Sequence, residues 1–311
     1  MAKILITESV HPIGPELLTA AGHTVVYADR DMDVIHREVV DADAVLVRII
    51  ELPGSLLATA KNLKIVSKHG VGYDNIDLDY CKSHGVAVTI TPNANSLSVA
   101  EHAFTLMLTL AKNIIPVSNE YRTVGFAAKN HAPGIEMTGK TLGLIGMGRI
   151  GKHVLHMCKD GLDMHVIVYD PYISEVPEGV EKVDDLSELL RRADVVTLHC
   201  LLTDETRKLI DRERLALMKP TALLINCARG PIVDEAALIE ALESGRLAGA
   251  GLDVTDPEPV APDSPLFKLP NVIVTPHYAP TTVESATRVS KIAAENINAV
   301  LAGQEPVGRI V

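Results

Sequence analysis

Short apolar runs of four to six residues alternate with amphipathic stretches along most of this chain. In the first hundred residues the runs are Ile4–Thr7, Thr24–Tyr27, Ala44–Val47, Lys64–Ser67 and Ala87–Ile90, and they predict strands. Helical segments lie between them, such as Pro15–Ala21, where Pro15 suits a first turn and Gly22 a C-terminal cap. Strands separated by helices predict parallel, doubly wound α/β sheets. Ser96–Lys112 reads as a long helix, with Val99, Ala103, Leu106, Leu110 and Ala111 near one face, crossing from one domain to a second. Gly125–Gly139 reads as a loop. A second alternating set then runs through Lys140–Ile145, His165–Tyr169, Val195–His199, Ala222–Asn226, Gly249–Asp253 and Val272–Thr275. Val283–Ala302 is again helical and is expected to return to the first domain. The pattern thus predicts a discontinuous domain, 1–98 with 283–311, into which residues 99–282 are inserted.

Length and composition narrow the function classes. At 311 residues the chain is comfortable for two domains, and 47% hydrophobic residues can build both cores. A net charge of −11 without any Lys/Arg-rich tract argues against a nucleic-acid surface. No apolar run reaches the length of a membrane span, and the N-terminus reads as a strand rather than a signal peptide. Cys81, Cys158, Cys200 and Cys227 are scattered without metal or redox spacing, so each is expected to pack as a small apolar group. His153 and His156 lie three apart on one helix with no third ligand in view, so no metal site is expected. The expectation is a soluble cytoplasmic protein that binds neither nucleic acid nor membrane.

One turn in the middle of the chain carries chemistry. The run Thr141–Ile145 leads directly into Gly146-Met147-Gly148-Arg149-Ile150-Gly151, then a helix, then a second apolar run that ends in Asp170, 19 residues after Gly151. Strand, G-x-G-x-x-G, helix, strand and acid together point to a dinucleotide-binding turn. Gly146 permits the tight exit, Gly148 close approach to a pyrophosphate, and Gly151 close packing of helix on strand. The helix N-terminus offers unpaired N–H groups to the phosphates. Asp170 can accept hydrogen bonds from both adenosine ribose hydroxyls and would repel a 2′-phosphate, which predicts NAD rather than NADP.

Three polar groups follow later apolar runs: Arg229 after Ile225-Asn226-Cys227-Ala228, Asp253 with Glu258 after Gly249–Leu252, and His277 after Val274-Thr275-Pro276. In open α/β sheets ligands bind beyond the carboxyl ends of strands. A guanidinium, a carboxylate and an imidazole there suit proton transfer to an anionic carbonyl compound. Taken singly, they would read as a surface cation, a loop acid and a capped histidine.

Over nearly its whole length the chain resembles the D-isomer-specific 2-hydroxyacid dehydrogenases. The resemblance rests on Lys68–Asp77, Asn95–His102, Gly139–Gly151, Asp194–Ile210, Met218–Asp234, Gly251–Pro259 and Thr275–His277. It implies a Rossmann NAD-binding domain inserted into a flavodoxin-like substrate domain, and a homodimer formed through the nucleotide domain and the helix near Ser96–Lys112. It also implies roles for residues. Arg229 would bind the substrate carboxylate and carbonyl, His277 would act as general acid in 2-keto acid reduction, and Glu258 would pair with His277. Val71 and Gly72 would offer backbone N–H groups to the carboxylate, and Asp253 would contact the nicotinamide carboxamide. Arg48, at a strand end, reads either as a substrate contact or as a surface cation, and His69 either as a ligand contact or as a plain loop histidine.

The chain departs from the family pattern in places. Leu201 stands where proline is usual, Tyr278-Ala279-Pro280 replaces small residues after His277, and the arginine-rich stretch of phosphoglycerate dehydrogenases shrinks to Arg48-Ile49-Ile50. The expected reaction is therefore interconversion of a small 2-keto acid, hydroxypyruvate or glyoxylate, with its D-2-hydroxy acid. D-3-phosphoglycerate oxidation is the alternative within the class, and an NAD-sensing corepressor-like binding protein the alternative outside it.

Overall fold

The computed structural model describes residues 1–311. In chain order its elements are β1 (Lys3–Ile6), α1 (Ile13–Ala20), β2 (Thr24–Tyr27), α2 (Met32–Glu38), β3 (Ala44–Val47), α3 (Gly54–Leu57), β4 (Ile65–Lys68), α4 (Leu78–Ser83), β5 (Ala87–Thr89), α5 (Ser96–Ala111) and α6 (Ile114–Val124). There follow β6 (Thr141–Ile145), α7 (Arg149–Leu162), β7 (His165–Tyr169), β8 (Val180–Lys182), α8 (Leu186–Arg192), β9 (Val195–Leu198), α9 (Arg212–Leu217), β10 (Leu223–Asn226), α10 (Glu235–Glu243), β11 (Gly249–Leu252), β12 (Val272–Val274) and α11 (Val283–Leu301).

The chain divides into two compact units, Met1–Asn95 with Pro280–Val311, and Ser96–Ala279. The first division falls at the start of α5, Ser96 rather than residue 99, because that helix belongs whole to the second unit, and the second division falls at Pro280 rather than at residue 283.

The first unit holds a parallel sheet of order β2-β1-β3-β4-β5. Strands β3 and β4 are buried at every position, as expected of strands covered by helices on both faces. α11 anchors one face: Ser67 Oγ donates to the Ala293 carbonyl at 3.0 Å, and the buried Asn296 donates to Ile90 O and accepts from Val307 N. α11 packs on α1 at Gly14, where any Cβ would lie 2.4 Å from Ser290 Oγ.

The second unit holds a parallel sheet of order β12-β11-β10-β9-β6-β7-β8. Its strand order reverses between β6 and β9, as that of the first sheet does between β1 and β3. Such reversals open a crevice at the carboxyl ends of the strands. Register fixes what lines that edge, because Asn226, Leu252 and Val274 end β10, β11 and β12 side by side. β11 is Gly-Ala-Gly-Leu for a steric reason. A Cβ on Gly251 would meet Leu106 Cβ at 3.0 Å and Ile225 Cδ1 at 3.1 Å, so the bare strand lets α5 lie close to the sheet.

Two elements escape the sequence pattern. β8 is a three-residue edge strand without an apolar run, and α6 buries none of its residues. The four cysteines are unpaired, and no helix is long and apolar enough to cross a membrane.

Candidate active site

Each loop at the carboxyl edge of β10–β12 is held by its own chain. Buried Asn226 donates from Nδ2 to Arg229 O at 2.9 Å and accepts from Ala228 N at 3.0 Å, which folds the loop that presents Arg229. Arg229 Nη1 donates to Ala228 O at 2.8 Å. The next residue, Gly230, presses on the neighbouring loop: a Cβ there would stand 1.9 Å from the Thr255 carbonyl oxygen. That contact ties the Arg229 loop to the segment running on to Glu258.

Asp253 is 1% exposed and organises the last loop. Its Oδ1 accepts from Thr275 Oγ1 at 2.6 Å and Tyr278 N at 2.7 Å, and its Oδ2 from Ala279 N at 2.9 Å. His277 sits inside this clasp at φ +53°, a left-handed conformation uncommon for a residue with a side chain. Its N–H is satisfied by Asp253 O at 2.8 Å and Thr275 O at 3.0 Å. His277 Nδ1 lies 2.7 Å from Glu258 Oε1, with both side chains about one-third exposed. That pairing orients the ring and leaves Nε2 as the atom for proton exchange. The expected histidine and glutamate are thus joined directly, and Arg229 and Asp253 come from the same sheet edge.

At the β6–β9 reversal the glycine turn meets the demands of a dinucleotide. Gly146 has φ +88°, and a Cβ there would lie 2.7 Å from Cys200 N. A Cβ on Gly151 would lie 2.3 Å from Gly146 O, whereas around Gly148 there is open space. Gly148 and Arg149 are exposed, Ile150 is half-buried, and no side chain caps the first turn of α7. The amides at that N-terminus suit a phosphate, so these residues fit the group the motif implies. Asp170 at the end of β7 accepts from Met147 N at 2.9 Å and Tyr172 N at 3.0 Å. Sequence reasoning missed Tyr172, whose hydroxyl donates to Glu205 Oε2 at 3.0 Å.

His199, just after β9, is also a structural finding. Its Nε2 lies 2.9 Å from Thr197 Oγ1, its Nδ1 is buried without a partner, and burial pushes its pKa down to about 3. Burial likewise pushes the Cys158 thiol up to about 12 and the Cys200 thiol up to about 11, which makes both poor nucleophiles. No three histidine, cysteine or carboxylate side chains come together in a metal-binding arrangement.

In the first unit, residues 48–50 are clamped from both sides. Buried Glu8 accepts from Arg48 N at 2.7 Å and Ile49 N at 3.0 Å. Lys68 Nζ donates to Arg48 O and, at 2.6 Å, to Asn75 Oδ1, while Asn75 Nδ2 donates to Ile50 O at 2.6 Å. Arg48 Nη1 donates to Ser9 O at 2.9 Å, and Ile49 is 51% exposed. The β4 loop opens at Gly70, φ +146°, and neither the Val71 nor the Gly72 amide has an acceptor within the chain. Burial, aided by the Arg48 charge, pushes His69 down to about 3, and its Nε2 is buried without a partner.

Comparison with known proteins agrees with this geometry. The family profile "D-isomer specific 2-hydroxyacid dehydrogenase, NAD binding domain" matches residues 104–279. The chain is 42% identical to D-3-phosphoglycerate dehydrogenase of Methanocaldococcus jannaschii over 308 residues, 98% of this chain and 58% of that one. It is 37% identical to glyoxylate reductase of Thermofilum pendens, over 98% of this chain and 93% of that one. The NADPH-dependent glyoxylate/hydroxypyruvate reductase of Sinorhizobium meliloti, solved with NADP and malonate, superposes with a TM-score of 0.90 at 28% identity, covering 100% of this chain and 97% of the other. The chain spans little more than half the length of the phosphoglycerate dehydrogenases it matches. It belongs to the D-isomer-specific 2-hydroxyacid dehydrogenase family, whose NAD-binding domain it carries.

Proposed function

We propose that this protein reduces a small, unphosphorylated 2-keto acid, hydroxypyruvate or glyoxylate, to the D-2-hydroxy acid with NADH. The observation that carries the reading is the His277–Glu258 pair at 2.7 Å on a turn clasped by a buried aspartate. When bound, the reduced nicotinamide supplies the hydride that arrives at C2. Arg229 pairs its planar fork with the substrate carboxylate and carbonyl oxygen, and stabilises the charge that develops on that oxygen. His277 Nε2 delivers the proton to the same oxygen, while Glu258 holds Nδ1. Asp253 Oδ2, which accepts from Ala279 N within the chain, keeps a lone pair suited to the nicotinamide carboxamide. In the first unit, the Val71 and Gly72 amides, without acceptors in the chain, are suited to a carboxylate.

Substrate and cofactor choice follow from charge. After β3 the single cation Arg48 is followed by exposed Ile49 and Glu51, and Lys68 is buried and engaged with Arg48 O and Asn75, a poor setting for a phosphate dianion. Asp170, held by two backbone amides, favours NAD over NADP. A homodimer is proposed as well, through the nucleotide domain and the helix near Ser96–Lys112 as the resemblance implies; on α6, which follows that helix, Ile114, Ile115, Tyr121 and Val124 are exposed, as is Phe126, and a second copy would cover them.

The test is a panel of 2-keto acids, 3-phosphohydroxypyruvate included, with NADH and with NADPH. The reading expects the highest kcat/KM for a small unphosphorylated acid with NADH, and its loss in His277→Gln. Preference for 3-phosphohydroxypyruvate would replace the substrate reading, and preference for NADPH the cofactor reading. NAD binding without turnover of any keto acid would favour a binding protein. A single-chain mass by light scattering at micromolar concentration would remove the dimer.

A further inference from the structure

We infer that His102 is a positioning residue for His277, acting through Thr275 and Asp253. His102 lies on α5, which approaches the sheet closely over the glycines of β11. Its Nε2 is 3.0 Å from Thr275 Oγ1 and 3.5 Å from Asp253 Oδ1. Thr275 has one hydroxyl proton, and at 2.6 Å it is committed to Asp253 Oδ1. The hydroxyl therefore accepts from His102, and His102 Nε2 carries a proton. The ring also meets the edge of Tyr278, centroid to centroid 6.2 Å at 64°.

His102 thus touches residues on both sides of His277. Asp253 is a buried carboxylate whose acceptor sites hold the amides of Tyr278 and Ala279, and those bonds keep His277 at φ +53°. The N–H of His102 fixes the Thr275 hydroxyl, which aligns the carboxylate that forms the turn. Without that donor the hydroxyl can rotate, Asp253 loses its alignment, and the strained turn gains freedom to relax. A leucine of similar bulk would preserve the packing and remove only the donor, whereas glutamine can return an N–H to the same place.

The kinetic arm of the test rests on the proposed reductase reading; hydrogen exchange does not. His102→Leu is expected to lower kcat about tenfold with KM changed less than about threefold, since misplaced chemistry rather than weaker binding is the defect. In the same variant the Tyr278 and Ala279 amides should exchange about tenfold faster, with exchange in β6 and β9 unchanged. His102→Gln should restore both readouts to within about threefold of the parent. Thr275→Val should reproduce the leucine variant, and the double variant should be no worse than either single one. The inference is overturned if His102→Leu leaves the exchange of those amides unaltered, or if the glutamine variant behaves like the leucine one. Failure of the parent protein to reduce any keto acid would overturn the reductase reading, and exchange would still decide the role of His102.

Discussion

Replacing Gly230 by alanine puts one methyl group where two loops touch. Its Cβ would sit 1.9 Å from Thr255 O and 2.2 Å from Thr255 C, so the loops must separate by about 1 Å to reach a tolerable contact. The backbone on both sides resists. Asn226 pins Arg229 O and Ala228 N, and Thr255 Oγ1 donates to Pro257 O at 2.9 Å. Overpacking of this kind costs about 1–3 kcal/mol, which in a unit of this size lowers Tm by roughly 2–4 °C per kcal/mol. The catalytic cost should be larger, because the displaced segments carry Arg229 on one side and Glu258 on the other. A displacement of about 1 Å at a reacting group can cost about 100-fold, so kcat/KM should fall by about that factor while the fold survives. NADH oxidation would measure the rate, calorimetry the Tm, and fluorescence titration the NADH affinity. Affinity should hold, since Gly146–Gly151 lies at a different pair of strands. A Gly230→Ala protein with kcat/KM within about threefold of the parent would refute the coupling of these loops to catalysis.

Other perturbations test other parts of the molecule. Glu258→Gln keeps an acceptor for His277 Nδ1 but removes the charge, and should lower kcat by about 10–100-fold with little change in Tm. Gly251→Ala would crowd Leu106 Cβ at 3.0 Å and push α5 outward, and calorimetry should show a loss of about 1–3 kcal/mol. His199 gives a pH dependence whose sign follows from its pKa of about 3, against 6.5 for an ordinary histidine. The unfolded chain takes up the proton first, so stability falls as pH drops from 6.5 toward 3, by about 1.4 kcal/mol per pH unit at its steepest. Asp194, where Lys219 and the Thr141 amide together outweigh burial, and Asp234, paired with Lys208, are both held below their ordinary range and add losses of the same sign at the acid end of that window. Urea unfolding at pH 7 and pH 5 should differ by about 2 kcal/mol more in the parent than in His199→Asn, and equal differences would remove His199 as the cause.

Legibility in the sequence follows the physics of each feature. β3 and β10 are buried at every position, so β3 is an unbroken apolar run and β10 is one up to its last residue, Asn226. The glycine turn is equally plain, because Gly146 and Gly151 are places where no side chain fits. Glu258 and His277, 19 residues apart, could be paired only through the family resemblance, since neither periodicity nor charge links them. β8 and α6 show no core-facing stripe because none of their residues is buried: β8 is a short edge strand, and the apolar side chains of α6 stand exposed. Glu8, Lys68 and Asn75 look in sequence like ordinary polar residues near strand ends. Only the fold shows that they are buried and converge on one short loop.

The same distinction applies to His102, which lies within the Asn95–His102 motif but whose role no sequence pattern marks. On α5 it sits beside the buried stripe of Val99, Ala103 and Leu106, so periodicity alone reads it as the rim of a packing face. Its partners are more than 150 residues away in sequence and reach it because two glycines in β11 draw the helix down. His277, just past a strand end, reads alone as a capped histidine and is singled out only by the family resemblance. A residue that holds it in place is defined by contacts that sequence spacing does not encode. The strained φ of His277 makes those contacts matter, because a turn that would otherwise relax must be over-determined by its surroundings. Asp253, Thr275 and His102 supply that determination in one continuous hydrogen-bonded chain, and the least exposed atoms of the site therefore set where its most reactive one points.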